Sequence, residues 1–500
     1  MNRDALLSIA LVAFSAAGNG CSNPGTGEAA ISLTSDSQLF VDNFLIEISD
    51  GVVKSLNRPD KHPANPLVRA DRPWEGYLVL QPGSVIFDEE EGLFKMWYNS
   101  LPSTKRPDIE DFLCYATSKD GVHWEKPDLG LVAYRDSTAN NIFLKDSAWT
   151  HSVIKDPDDK DPNRRYKLAY WRTHDRSECG VWVAFSSDGV RWTNHPDNPV
   201  VPCSATGDTF SVMQDAASKQ YWLYHKSEIR PIRKVARLVS DDFVHWRDSQ
   251  LVLQPDENDQ PDTEFYGLSA FSYGGQYLGL LWVFHTYSQL MDTQLVSSRD
   301  GRVWDRSGYR RIFLPLGYMR NEYGGSSFDS GMVFPATAPA VKDDKLWIYY
   351  SGFSNLHNAL AEEHTGEIGL ATLRLDGFVS LEATSEASVV TRPVTFQGSS
   401  MTLNARTRAM EQQGGAFNPA WKELFTDVPD GKGSIRVEVQ DADGQPISGY
   451  RAEECIPVQG DGVRLGISWD GDKDLSALVG RAVRFKFVMS NASLYSFTIR

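Results

Sequence analysis

The sequence predicts an all-β protein, a five-bladed β-propeller followed by a C-terminal β-sandwich, and three observations lead there. A short turn motif recurs through the first three quarters of the 500 residues. Each copy follows a set of short alternating segments rich in strand-forming residues. Aromatic residues make up 11% of the chain, with 14 Trp, 19 Tyr and 24 Phe, and they gather in those segments between Gly, Asp, Asn and Pro.

The motif is Asp-x-x-x-Trp. It runs from Asp120 to Trp124, Asp188 to Trp192, Asp242 to Trp246 and Asp300 to Trp304, at spacings of 68, 54 and 58 residues. A fifth copy, Asp376-Gly377, keeps the preceding strand but lacks the Trp. Repeats of this size with several strands apiece read as propeller blades. The chemistry of the motif is that of a turn. Asp bonds backbone amides just ahead of it, Gly takes the positive φ of a tight reversal, and Trp packs on a neighbouring sheet. These residues are therefore assigned to turns, not to catalysis.

Reading back from each turn gives strands at 84–87, 93–98 and 113–117 for blade one, and 152–154, 166–171 and 181–185 for blade two. Blade three takes 210–213, 221–224 and 235–239, and blade four 267–271, 277–284 and 293–296. Blade five takes 332–341, 346–350 and 368–373. The propeller is thus expected over 36–390, with 39–46 and 54–72 wrapping its outside. Over 395–500 the turn motif stops, and segments 434–439, 463–469, 483–488 and 493–499 alternate as two packed antiparallel sheets would.

Residues 1–20 read as an export signal: Arg3, an apolar stretch from Ala5 to Ala17, then small residues. Cys21 follows Gly18-Asn19-Gly20 in a form similar to a lipoprotein box, without the usual Leu three residues before it. The expected location is periplasmic, outer-membrane lipoprotein or extracellular, with lipid attachment at Cys21 left open. Cys114, Cys179, Cys203 and Cys455 are scattered without metal-ligand spacing, so no zinc or other metal site is expected. Cys114 and Cys203 lie in or beside apolar strands and read as packed thiols, and the spacings leave open whether one bridge forms. A formal charge of −16 argues against a nucleic-acid partner.

In a propeller, the first strand of every blade begins beside the axis on one face, and the loops between second and third strands rise from that face. The residues at those entrances are Trp74, Glu75 and Gln81, then His151, Asp208, Asp262 with Glu264, and Asp329. Carboxylates from four blades converging on one funnel suit glycoside cleavage. There a carboxylic acid protonates the departing oxygen while a second carboxylate attacks or activates water. Asp208 and Glu264 are the favoured catalytic pair, with Glu75 and Asp329 as supporting catalytic carboxylates. Trp74, Gln81, His151, Asp262, Tyr266, His285 and Arg320 are the expected substrate contacts. Loops of the same face add Lys226, Arg233 and His357 as polar groups, and Trp149 and Tyr323 as sugar-stacking aromatics. Each of these carboxylates taken singly also fits a role in capping a strand-start turn.

Taken together, the blades and sandwich resemble the five-bladed propeller glycosidases of families 32, 43 and 130. Leu39–Ile46, Gly83-Ser84-Val85, Lys95-Met96-Trp97-Tyr98 and Asp329-Ser330-Gly331-Met332 look like a group of exported bacterial proteins similar to family 32, and Leu494–Phe497 looks like the last strand of that family's sandwich. The resemblance implies a carbohydrate substrate and no cofactor, with calcium on the axis as an option. The catalytic motifs do not carry over. Family 32 has an Asn-Asp-Pro-Asn-Gly turn where this chain has Leu80-Gln81-Pro82-Gly83-Ser84, and family 130 has its acid in blade two where this chain has Trp149-Thr150-His151-Ser152. The readings that follow are an exported glycoside hydrolase of plant or algal poly- or oligosaccharides, an inorganic-phosphate-dependent glycoside phosphorylase, and a carbohydrate-binding lipoprotein without catalysis.

Overall fold

The computed structural model describes residues 29–80, 83–101, 111–145, 149–173, 178–227, 232–306, 310–319, 327–359, 365–407, 409–412, 425–428 and 433–500. The expected export segment, Cys21, Gln81, Arg320 and Tyr323 lie outside them. The described residues form strands joined by turns, with two short 3-10 turns at Pro162–Arg164 and Ser476–Leu478.

Five antiparallel blades surround an axis. Blade one runs from Val85–Asp88 through Leu93–Leu101 and Phe112–Ser118 to Ile142–Lys145. Blade two is His151–Lys155, Tyr166–Arg172, Gly180–Ser186 and the short outer pieces Thr193–Asn194 and Val201–Pro202. Blade three is Phe210–Gln214, Tyr221–Ser227, Lys234–Ser240 and Arg247–Leu253. Blade four is Thr263–Tyr273, Gln276–His285 and Leu290–Ser298, with outer pieces Trp304–Asp305 and Ile312–Leu314. Blade five has Met332–Pro335, Lys345–Phe353 and Gly366–Arg374.

The outer strand of blade five comes from the other end of the propeller. Asp60–Lys61 pairs antiparallel with Gly366–Arg374, and Val68 bridges Ile368. A segment expected to wrap the outside thus closes the ring by hydrogen-bonded strand pairing. A second correction concerns residues 36–56 and 379–390, expected within the propeller range. They supply sandwich strands: Gln38–Leu39 and Val379–Ala383 pair with Ala492–Ile499, Ile46–Asp50 pairs with Ala387–Thr391, and Val53–Leu56 pairs with Val379–Ala383. The sandwich therefore draws strands from both sides of the propeller around one core containing Phe40, Trp469, Phe485, Phe487 and Phe497.

The Asp-x-x-x-Trp copies join third strands to outer strands, on the face opposite the funnel. In each, one carboxylate oxygen accepts two successive amides: Val122 and His123 on Asp120, Val190 and Arg191 on Asp188, Val244 and His245 on Asp242, Arg302 and Val303 on Asp300, at 2.8–2.9 Å. The next residue takes positive φ, and in blade three that residue is Phe243 at 72° instead of Gly. Each turn also docks on the preceding blade. Trp97 donates to the Gly189 carbonyl, Arg164 to Asp242 O, Tyr224 to Gly301 O, Tyr273 to the Asp376 carboxylate and Tyr349 to Gly121 O, at 2.6–2.9 Å. The fifth copy joins this cycle without its Trp.

A second cycle runs round the axis. Apart from one parallel bridge between Met291 and Met332, the inner strands of the blades have no strand partner on their axial side among the described residues, so their backbone groups need other partners. Hydroxyls from adjacent blades supply them. Val153 N–H donates to Ser84 Oγ at 2.9 Å and Val212 N–H to Ser152 Oγ at 3.1 Å. Ser211 Oγ donates to Leu268 O at 2.5 Å, Ser269 Oγ to Pro335 O at 3.2 Å, and Ser84 and Thr337 share a hydrogen bond of 2.8 Å. All five hydroxyl residues are buried. Ser84→Ala removes the acceptor of a buried amide, so it is expected to lower the denaturation midpoint by the equivalent of about 1–3 kcal/mol. Chemical denaturation of the two proteins measures this, and an unchanged midpoint would refute the role given to the belt.

Candidate functional site

Above the hydroxyl belt the funnel opens into a cavity of about 350 Å³ lined by every blade. Blade one contributes Leu80, blade two Trp149 and Thr150, blade three Asp208 and Thr209, and blade four Tyr266 and Trp282. Blade five contributes Met332, Phe334, Ser351, Phe353 and His357. The lining is mainly apolar and aromatic, and Asp208 is its one carboxylate among the described residues.

Asp208 and Tyr266 are thus the expected site residues that the structure brings to the cavity. Asp208 Oδ1 lies 2.5 Å from Lys226 Nζ and accepts Thr209 Oγ1 at 3.2 Å. Lys226 is itself buried and lies 4.5 Å from the centre of the Tyr266 ring. Arg233 lies 5.3 Å from the same ring and pairs with Glu264. The cations that hold the two favoured carboxylates therefore lie near one aromatic ring, although Glu264 itself does not line the cavity. Tyr266 sits at a break in the register between Phe265 and Gly267. His357 Nε2 is 3.1 Å from the Tyr266 hydroxyl.

Trp149 supplies the exposed aromatic surface. It is 48% exposed and holds φ at 60°, a conformation that a bulky residue seldom adopts. Its neighbour Thr150 lines the cavity while His151 turns inward.

The other expected residues are placed elsewhere. Glu75 is fully buried and accepts Tyr98 Oη at 2.6 Å, the amides of Asp71 and Arg72 at 3.0 Å, and Lys126 at 2.8 Å. It closes a turn and neutralises a buried lysine instead of meeting substrate. Asp329, also buried, accepts Lys61 at 2.5 Å and Tyr350 Oη at 2.8 Å, so it fastens the ring-closing strand to blade five. Trp74 donates to Asn141 at 2.8 Å and packs edge-on against Tyr134. Asp262 accepts the Tyr287 amide at 3.2 Å, the turn-capping role of a loop carboxylate. His285 pairs with Asp292 at 2.9 Å, and that hydrogen bond raises its pKa. None of these five lines the cavity.

His151 is another correction. Its Nδ1 lies 2.7 Å from the Asn99 side chain and its Nε2 2.7 Å from the Trp97 carbonyl, with no exposed surface. Burial pushes its pKa down to about 4, so the ring is neutral at physiological pH. A neutral ring has one N–H, which belongs on Nε2 facing the carbonyl, and Nδ1 then accepts from the Asn99 amide turned to present its NH2. A Cβ on Gly83 would stand 2.1 Å from His151 Nε2, so glycine is required there.

The belt offers hydroxyls already committed to hydrogen bonds, a poor set for calcium, which takes carboxylate and carbonyl oxygens. No group of three His, Cys, Asp or Glu side chains comes together as a metal site among the described residues.

No known family profile and no curated protein sequence matches the chain. Solved structures do align with it at low identity. An N-acetylgalactosamine deacetylase from F. plautii in complex with blood group B trisaccharide is 14% identical over 66% of this chain and 96% of its own, with a TM-score of 0.42. A putative glycoside hydrolase from Parabacteroides distasonis is 17% identical over 65% and 97%, with a TM-score of 0.41. A fructofuranosidase variant from Schwanniomyces occidentalis complexed with fructosylnystose is 13% identical over 89% and 99%, with a TM-score of 0.41.

The buried His151 sets a pH dependence. Its folded pKa of about 4 lies below the unfolded value of 6.5, so the unfolded chain binds the proton first on acidification. The contribution is fully present above pH 6.5 and is lost as pH falls towards 4, on the order of 3 kcal/mol in all. Stability measured from pH 7 to 4 should fall more steeply in the native protein than in His151→Gln. Equal slopes would contradict this.

Proposed function

We propose that the protein is an exported glycoside hydrolase that seats a sugar unit of a poly- or oligosaccharide in the axial cavity and cleaves its glycosidic bond with Asp208 and Glu264. The observation that carries the reading is Asp208 in the wall of an aromatic cavity, held by Lys226 beside Tyr266, with Glu264 paired to Arg233 near the same ring. The volume of about 350 Å³ falls within the roughly 300–1,000 Å³ of small-molecule sites. Sugar rings present C–H faces that suit Trp149 and Tyr266, while Asp208, Thr150 and Thr209 offer partners for hydroxyl groups.

Hydrolysis needs a proton delivered to the departing oxygen and a carboxylate to attack the anomeric carbon or activate water. Asp208 has both contacts on Oδ1, which leaves Oδ2 for substrate among the described residues. Lys226 and Arg233 act as positioning residues, fixing the two carboxylates against Tyr266. A second reading, sugar binding without cleavage, is favoured by Asp208 being the single carboxylate of the described lining.

Turnover of plant and algal oligosaccharides, followed by release of reducing ends with and without phosphate, separates these readings. Asp208→Asn and Glu264→Gln are each expected to lower turnover by about 10²–10⁴-fold. Full activity in both variants would sink the assignment. Binding with no release would favour the non-catalytic reading, and strict dependence on phosphate would favour phosphorolysis.

A further inference from the structure

Two cysteines frame the approach to Asp208. Cys179 immediately precedes the third strand of blade two, Gly180–Ser186, and Cys203 immediately follows the outer piece Val201–Pro202. Gly180 pairs with Pro202 and Val181 with Val201, so continuing the antiparallel register puts Cys179 opposite Cys203. The Cys203 amide donates to the Cys179 carbonyl at 3.0 Å. Opposed residues of a hydrogen-bonded antiparallel pair have Cα atoms about 5.5 Å apart and side chains on one face. That lies inside the roughly 4.4–6.8 Å a disulfide spans.

Two further features support the contact. Gly180 holds φ at 149°, and a Cβ there would stand 2.1 Å from the Val201 carbonyl oxygen, so the two backbones are drawn close beside the cysteines. The Cys179 thiol is pushed up to about 12, first by burial and then by its hydrogen bond with Cys203. Both cysteines are free thiols here and both are half-buried, within reach of a small oxidant.

We propose that Cys179 and Cys203 form a disulfide across the outer edge of blade two, and that it anchors the 203–208 segment that delivers Asp208 to the cavity. This segment enters blade three through Gly207, whose amide donates to the Lys226 carbonyl at 2.9 Å. A bond at Cys203 therefore fixes one end of a short span whose other end already rests beside the lysine that pairs with Asp208. The oxidant is a low-molecular-weight or protein disulfide. One cysteine thiolate displaces a thiolate from it, the second cysteine then displaces the other, and two S–H bonds are exchanged for one S–S bond. The oxidant leaves as two thiols carrying the electrons and protons. The proposal concerns a covalent modification and stands whether or not the cavity cleaves a glycoside.

The full chain, treated with oxidised glutathione or with excess dithiothreitol, is denatured, alkylated, digested and analysed by mass spectrometry. The oxidised sample should contain one peptide pair joined through Cys179 and Cys203, while Cys114 and Cys455 are alkylated in both samples. Oxidation should also slow hydrogen exchange over 203–208 and raise Tm, and neither change should occur in Cys179→Ser or Cys203→Ser. Alkylation of both Cys179 and Cys203 after oxidation, or a bridge from either to another cysteine, would overturn the proposal. The peptide result stands even where a serine variant fails to fold.

Discussion

Closing five blades into a ring is the constraint on which the rest of this structure depends. An inner strand at a propeller axis is an edge, and its unpaired amides and carbonyls would be costly to bury. Ser84, Ser152, Ser211, Ser269 and Thr337 remove that cost by bonding across each seam. The opposite face repeats the solution, with each turn held by a side chain of the preceding blade. Closure is completed by Asp60–Lys61, which lends blade five its outer strand. The ring is thus held by many modest bonds arranged in two cycles, and losing one seam strains its neighbours.

Closure also decides the character of the cavity. Every blade lines the cavity, and its wall is mainly apolar and aromatic. Charges near it come as pairs: Asp208 with Lys226, and Glu264 with Arg233. Pairing with Lys226 is what allows Asp208 to share an apolar wall with Tyr266. The same rule disposes of the other acids. Glu75 and Asp329 are buried against Lys126 and Lys61, where their charges hold loop and strand together.

Much of the fold was legible because its signals are local. The carboxylate of Asp120 bonds amides two and three residues ahead, so the motif carries its own structure wherever it occurs. Phe243 shows the limit of that logic. It takes the glycine conformation because its ring is buried against Tyr221 and Phe185, a reward that no local pattern displays. Segments 39–46 and 54–72 were legible as extended chain but not as sources of strands for the sandwich and blade five. Their partners lie more than three hundred residues away in the chain.

The amino-acid sequence by itself determined the number of blades, their turns and the position of the funnel, since those follow from repeats and from two-residue alternation. Only the tertiary structure decided which polar residues at the funnel mouth face the cavity. Thr150 lines it and His151 does not; Asp208 reaches it and Asp329 does not. A shift of one residue along a strand turns a side chain to the opposite face. The choice between faces is made by cations and tyrosines brought in from other strands, whose distance in sequence hides them.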